Sequence, residues 1–323
     1  MLSWRTSSGV LLAVVVFEVV LRQLTFGRVT LDPQVGWMWR STTVIHRLGE
    51  GWGVSHWRDD ETRSHAPAAA NAPCVLFVGD SITEALQVND DEAFSGRMSA
   101  VNALNIGQSG HSAADYVVYA AEYRARHRPD WTVVELAPPD LAEDAFNPGK
   151  THFDGGLNPH VVLFDADGRL SKLLGIRRWS AFANFAVRRV QEYAASARMP
   201  PLFRAADETI HPAAADLQRN WPVAAEMARL RNAYSDRLTF FFVPNFFEPP
   251  SRVEDAFTCE CRNRSLSCIN MRTVFDGFRN RGDAPFGFPN SSFGEGHLNA
   301  CGHAAAALLL KSEMERLRAR GLF

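Results

Sequence analysis

The chain has 323 residues, enough for one large α/β domain with extensions or for two modest domains. Hydrophobic residues make up 46% and charged residues 22%, as is typical of a protein with a packed core. The net charge is -2, and no run of like charges stands out. This balance argues against nucleic-acid binding, which requires a basic surface.

The first predicted element is an apolar N-terminal segment. Gly9 to Phe17 is uninterrupted, and the apolar character continues to Leu24 with Glu18 and Arg22 as charged interruptions. Those two residues are four apart, so on a helix they share a face and can pair. No small-residue cleavage site follows. We expect residues 1–24 to be an uncleaved membrane anchor, with the domain facing the periplasm or cell exterior. A soluble amphipathic helix is the alternative, because the run is shorter than the roughly 20 residues of a clean span.

Residues 25–73 are predicted to be an extension and a linker. Four tryptophans occur in the irregular first part of this stretch: Trp37, Trp39, Trp52 and Trp57. The alanine- and proline-containing segment Glu61 to Pro73 follows and is the best candidate for a domain boundary. The main domain is therefore expected to span residues 74–323.

Strand and helix patterns alternate in this domain. Apolar runs predict strands at Cys74–Gly79, Val101–Ile106, Trp131–Ala137, Leu238–Pro244 and, more briefly, Ser267–Met271. Helical patterns lie near residues 91–100, 112–127, 213–234 and 299–320. The segment 143–210 lacks this alternation and is predicted to be an insertion. Alternation of this kind indicates a parallel sheet with helices on both faces.

Three of the five cysteines lie close together: Cys259, Cys261 and Cys268. A local disulfide, free thiols and a zinc site are all compatible with this spacing. Zinc is the weakest interpretation, because the cluster contains no histidine and no fourth cysteine. No cofactor is expected.

Polar residues follow the predicted strands. Gly79-Asp80-Ser81 comes after the first strand, Gly107-Gln108-Ser109-Gly110 after the second and Pro138-Pro139-Asp140 after the third, while His297 precedes the last helix. Ligands bind at the carboxyl ends of parallel strands, so these residues are expected to converge. A serine nucleophile needs a base and oxyanion donors. Ser81 can be the nucleophile and His297 the base, and Gly110 allows a backbone N–H to approach the oxyanion closely.

Each of these pieces also has a purely structural interpretation. Ser81-Ile82-Thr83-Glu84 has the spacing of a helix capping box. Gly107 and Gly110 are compatible with ordinary turns, and His297 with a loop histidine. Their order along the strand ends favours the catalytic interpretation.

The motifs resemble those of the SGNH/GDSL hydrolase superfamily. Gly79-Asp80-Ser81 is similar to its first block, Asn105-Ile106-Gly107-Gln108-Ser109-Gly110 to its second, and His297-Leu298-Asn299 with Gly302-His303 to its last. The resemblance implies a three-layer α/β/α sandwich with a parallel, five-stranded, flavodoxin-like sheet. It also implies that Ser81 is the nucleophile, that Gly110 gives an oxyanion N–H and that His297 is the base.

Two positions depart from the family pattern. The third block normally ends in Asn-Asp, but here the pair is Pro139-Asp140, and proline has no N–H to donate. Asp80, Asp140 and Asn147 are the remaining candidates around the oxyanion and substrate. The aspartate expected three residues before the histidine is replaced by Gly294. Glu295 is predicted to take its place beside His297.

Three functions are compatible with these residues. The first is an esterase acting on acylated, especially acetylated, carbohydrate or envelope glycan. The second is an O-acyltransferase that uses the same serine on an exported polysaccharide. The third is a non-catalytic glycan-binding protein with a decayed site.

Overall fold

The computed structural model describes residues 4–25, 29–32, 36–46, 50–65, 68–69, 71–143, 151–153, 159–161 and 223–322. A central five-stranded parallel sheet organises this part of the chain. Its strands are β5 (Cys74–Val78), β6 (Asn102–Asn105), β7 (Trp131–Leu136), β10 (Leu238–Phe242) and β11 (Ser267–Asn270). The spatial order is β6-β5-β7-β10-β11, which is the flavodoxin-like order 2-1-3-4-5. The predicted fold is confirmed.

Helices cover both faces of the sheet. They are α2 (Ser81–Glu84), α3 (Ala113–His127), α4 (Pro138–Glu143), α5 (Val223–Tyr234), α6 (Arg252–Asn263), α7 (Arg272–Arg281) and α8 (Ala300–Ala319). Helices α3, α5 and α6 pack on one face and α7 and α8 on the other. Successive strand residues serve opposite faces, so Val75 and Phe77 join the α7–α8 core while Leu76 and Val78 join the α3–α5–α6 core.

The helix predicted near residues 91–100 is wrong. The chain forms a series of turns there, with isolated bonds such as Arg97 N–H to the Ala93 carbonyl. Gly96 interrupts the stretch, and glycine is a poor helix former. The insertion predicted at 143–210 lies largely outside the described residues. Its two described strands, β8 (Thr151–Phe153) and β9 (Pro159–Val161), pair antiparallel.

The extension forms two hairpins before the main domain. Strands β1 (Val29–Asp32) and β2 (Gly36–Trp39) pair antiparallel, as do β3 (Thr42–Ile45) and β4 (Val54–Trp57). Arg63 bridges both Trp57 and Asn105, which joins this segment to the β6 edge of the sheet.

The predicted linker is therefore corrected in its first part. Glu61, Thr62, Arg63 and His65 are buried, and the Arg63 side chain has no exposed area. Its guanidinium donates to the carbonyls of Glu84, Ala85 and Val88 and pairs with Asp90. These bonds make residues 61–65 part of the main domain.

The N-terminal helix α1 spans Trp4–Thr25. It presents exposed apolar side chains such as Val10, Leu11 and Leu12. In the described part of the chain, no helix has both the length and the apolar character that crossing a membrane would require.

Farther along, the cysteine cluster contains a Cys261–Cys268 disulfide, and Cys259 is a free, exposed thiol.

Candidate active site

The serine lies where β5 ends at the centre of the sheet. Ser81 begins the short helix α2, and Asp80 is its N-cap, with Oδ1 accepting the Ile82 N–H at 2.7 Å. The capping-box interpretation is therefore wrong. The side chain that would complete it, Glu84, is buried and accepts hydrogen bonds from Trp39 and Ser109 instead. The Ser81 hydroxyl is thus not used as a helix cap.

His297 is held by a carboxylate from the extension. Its Nδ1 lies 2.8 Å from Glu50 Oε2, and its backbone N–H donates to Glu50 Oε1, also at 2.8 Å. Two contacts from one carboxylate fix both the ring and its loop. A carboxylate on Nδ1 places the proton there, stabilises the imidazolium and leaves Nε2 as the base. The His297 side chain is 30% exposed, so it remains open to substrate.

The predicted role of Glu295 is corrected by this pairing. Glu295 is exposed, and the imidazole nitrogen that it was expected to bind is held by Glu50. The backbone explains the exchange. A Cβ at Gly296 would lie 2.3 Å from Glu50 Oε1, and one at Gly294 would lie 2.3 Å from the Phe247 ring. Both glycines have positive φ, so this loop is shaped to admit Glu50.

His297 approaches the serine turn from the opposite loop. The charge of His297 acts on the pKa of Asp80, the residue before Ser81, and on the pKa of Glu84, three residues after Ser81. Burial raises the pKa of both carboxyls, and His297 opposes that rise. Their order along the strand ends predicts that Ser81 and His297 lie within hydrogen-bonding reach, but no hydrogen bond joins them in the described part of the chain. Catalytic hydrogen bonds are often long until substrate binds.

The loop after β6 carries the candidate oxyanion donor. Gly110 is exposed and has φ +74°, a conformation that favours glycine. The preceding residue, Ser109, donates its backbone N–H to Glu84 Oε2 at 3.1 Å, and its hydroxyl binds the same oxygen. Trp39 donates to the other oxygen of Glu84. Glu84, which the sequence analysis assigned only to a cap, therefore fixes the Gly110 loop relative to the serine turn and the extension.

The third-block residues lie in two different environments. Pro139 is exposed at the start of α4. Asp140 is 2% exposed, and its Oδ2 accepts the Ala137 N–H at 2.6 Å. The Asp140 carboxyl is thus buried beneath the site. Asn147, the other candidate donor, lies outside the described residues.

Three carboxyls meet beneath the serine turn. Ligand oxygens of Asp80, Glu135 and Asp140 all lie within 4.8 Å of one another, which is close enough to hold a cation. Burial, then the charges of Asp80 and Asp140, raises the pKa of Glu135 well above its usual range. The raised pKa favours the protonated form of Glu135, which donates a hydrogen bond and is a poorer metal ligand than a carboxylate. Its Oε2 accepts from Asp80 N–H and the Thr83 hydroxyl, so it supports the turn directly.

No family model and no curated protein matches this chain. It is similar in structure to a member of the lipolytic protein G-D-S-L family from Veillonella parvula, with 11% identity over 75% of this chain and 98% of that one and a TM-score of 0.41. It is also similar to a catalytic mutant of an acetylxylan esterase from Geobacillus stearothermophilus, with 11% identity over 78% and 96% of the chains and a TM-score of 0.40.

Proposed function

We propose that this protein is a serine-dependent carboxylic ester hydrolase of the SGNH/GDSL type. The observation that carries the proposal is the Glu50–His297 pair beside the Ser81 turn. It supplies the oriented base that a serine nucleophile requires, although the usual aspartate position is Gly294. The same pair argues against a decayed site, because a carboxylate from another segment takes over the missing role.

The proposed reaction has two steps. Ser81 Oγ attacks the ester carbonyl while His297 Nε2 takes its proton, and Glu50 stabilises the imidazolium. The backbone N–H groups of Ser81 and Gly110 bind the oxyanion. The imidazolium then protonates the leaving alcohol, which leaves an acyl-Ser81 ester. Water attacks that ester with His297 again accepting the proton, and the carboxylic acid and free Ser81 are released.

The proposed substrates are acylated, especially acetylated, carbohydrates, as the motif resemblance implies. An acyltransferase would differ only in the acceptor, with a sugar hydroxyl in place of water. The two activities are separated by supplying a deacetylated oligosaccharide with a small acetyl ester and measuring acetate release against acetyl-sugar formation.

The decisive experiment asks whether Ser81 is activated. A fluorophosphonate probe should label the purified protein at Ser81, identified by mass spectrometry, and Ser81→Ala should abolish labelling and hydrolysis of p-nitrophenyl acetate. A folded wild-type protein that neither reacts with the probe nor cleaves the ester would contradict the enzyme proposal.

We also propose that the protein is membrane-associated through α1, facing the periplasm or cell exterior. The exposed apolar side chains of this helix support contact with a lipid surface. Co-sedimentation with phospholipid vesicles tests the proposal: the full chain should pellet, and a chain lacking residues 1–25 should stay in solution. Equal behaviour of the two would reject it.

A further inference from the structure

A cleft of about 380 Å³ lies between the extension, the turns after α2 and the start of α8. One wall includes Trp52, two residues after Glu50. Another includes Gly287, whose N–H donates to the His297 carbonyl at 3.1 Å. We call this the Trp52 cleft. Its position places a bound ligand next to the two segments that carry Glu50 and His297.

Hydrogen bonds from the backbone of the extension fix two sides of the Trp52 cleft. The Trp52 N–H donates to the Gln87 carbonyl at 3.2 Å. The neighbouring Gly51 N–H donates to Asn290 Oδ1 at 2.9 Å. These bonds tie the extension to the turns after α2 and to the loop that carries His297. The cleft is therefore preformed, as small-molecule sites usually are.

Its lining combines an aromatic ring with hydrogen-bonding side chains. Trp52 is 55% exposed, so a large apolar ring faces solvent. Gln87 is only 7% exposed, and its Oε1 has no hydrogen-bond partner in the described structure. Asn89 and Glu92 complete the polar side, with Glu92 Oε2 accepting the Asn89 N–H at 3.0 Å. A buried carbonyl oxygen without a partner is unfavourable unless a donor is supplied, which a bound hydroxyl would do.

We infer that the Trp52 cleft is a carbohydrate subsite, which holds a sugar ring of the glycan whose ester is cleaved at Ser81. This inference rests on the proposed function. A pyranose presents an apolar face for Trp52 and hydroxyls for Gln87, Asn89 and Glu92, so both parts of the lining are used. A long acyl chain would leave the buried Gln87 Oε1 without a donor. An anionic ligand is disfavoured by Glu92, and no lysine or arginine belongs to the described lining.

The test compares large and small substrates in the full chain. We would measure kcat/KM for acetylated xylo-, manno- and chito-oligosaccharides and divide each value by that for p-nitrophenyl acetate. Trp52→Ala should lower this ratio at least about tenfold for the preferred glycan, mainly through KM, and Gln87→Leu should lower it in the same direction. Phe293→Ala is the matched control, because Phe293 is a 66% exposed aromatic outside the cleft lining. It should leave the ratio within about twofold.

A binding measurement separates this inference from the proposed activity. Calorimetric titration of Ser81→Ala with the same oligosaccharides, deacetylated, should show binding that Trp52→Ala weakens at least about tenfold. Glycan binding without hydrolysis by the wild type would support the subsite and reject the esterase proposal. Ester hydrolysis with a glycan ratio unchanged by both cleft variants would overturn the subsite, as would failure of the whole panel to bind. If Trp52→Ala and Gln87→Leu lost activity selectively on p-nitrophenyl octanoate, the sugar subsite would also be overturned, in favour of a site for an acyl chain.

Discussion

At the residue scale, the orienting carboxylate of the site comes from a distant part of the chain. Glu50 and His297 are separated by 247 positions, yet Glu50 contacts both the ring and the backbone of His297. The position that usually carries an aspartate is Gly294, where Phe247 occupies the space of a side chain. Under the proposed function, Glu50 takes the role of the triad acid from a position 247 residues away from His297.

The first prediction concerns Glu50. Glu50→Gln should lower kcat for p-nitrophenyl acetate by about 10²–10⁴-fold, because the amide no longer stabilises the imidazolium and can favour the wrong tautomer. The thermal midpoint should change little, since the Glu50 side chain is partly exposed. Glu295→Gln is the control and should retain activity within about twofold. Equal losses in the two variants would reject this assignment.

The second prediction concerns the glycine beside the pair. A Cβ in Gly296→Ala would lie 2.3 Å from Glu50 Oε1, so the variant should displace Glu50 and lower kcat by about tenfold or more. Gly282→Ala is the matched control. Gly282 has φ +72°, close to the +79° of Gly296, but no atom within 4 Å of its added Cβ. Both variants carry similar backbone strain, so a kcat loss confined to Gly296→Ala identifies displacement of Glu50 as the cause.

At the element scale, the sequence predicted the turn after β5 but not the buried side chains that hold this turn in place. The run Cys74–Val78 is buried and continuous, and Gly79-Asp80-Ser81 follows it directly, so the local sequence is enough to predict this turn. Glu135 lies within the buried strand β7, whose largely apolar sequence predicts a strand but no role for its single carboxyl. Glu84 lies in what resembles a capping box, although its partners are Trp39 and Ser109. Such contacts depend on tertiary packing and leave no periodic signal.

The third prediction concerns the protonated carboxyl under this turn. The raised pKa of Glu135 means that the folded protein retains a proton that the unfolded chain releases above about pH 4.5. The contribution of Glu135 to the stability of the fold is therefore complete below that pH. It is lost as the pH rises toward the pKa of Glu135 in the folded protein. The side chain at this position in Glu135→Gln does not titrate, so the free energy of unfolding of this variant relative to wild type should increase from pH 5 to pH 8. Urea unfolding at both pH values measures this difference, and parallel pH profiles would contradict it.

At the scale of the whole molecule, the extension is joined by hydrogen bonds to the domain that carries the candidate site. It supplies Glu50 to His297, Trp39 to Glu84 and the buried Arg63 to the chain after α2. The sequence indicated a boundary at residues 61–73 because alanine and proline are common in linkers. Composition does not show that Arg63 completes an edge of the sheet and is fully buried. The motif resemblance began at residue 74 and so left out the acid of the site.

The fourth prediction tests this integration by truncation. A chain starting at residue 29 keeps both hairpins and should hydrolyse p-nitrophenyl acetate within about threefold of the full chain. A chain starting at residue 74 loses Glu50 and leaves the carbonyls of Glu84, Ala85 and Val88 without their Arg63 donor. The loss of these hydrogen bonds and of the buried Arg63 side chain removes contacts that stabilise the turns after α2, so the shorter chain should unfold at lower temperature and be inactive. Circular dichroism melting and the esterase assay measure both effects. Full activity in a stable chain of residues 74–323 would show that the extension is dispensable and that Glu50 is not the acid of the site.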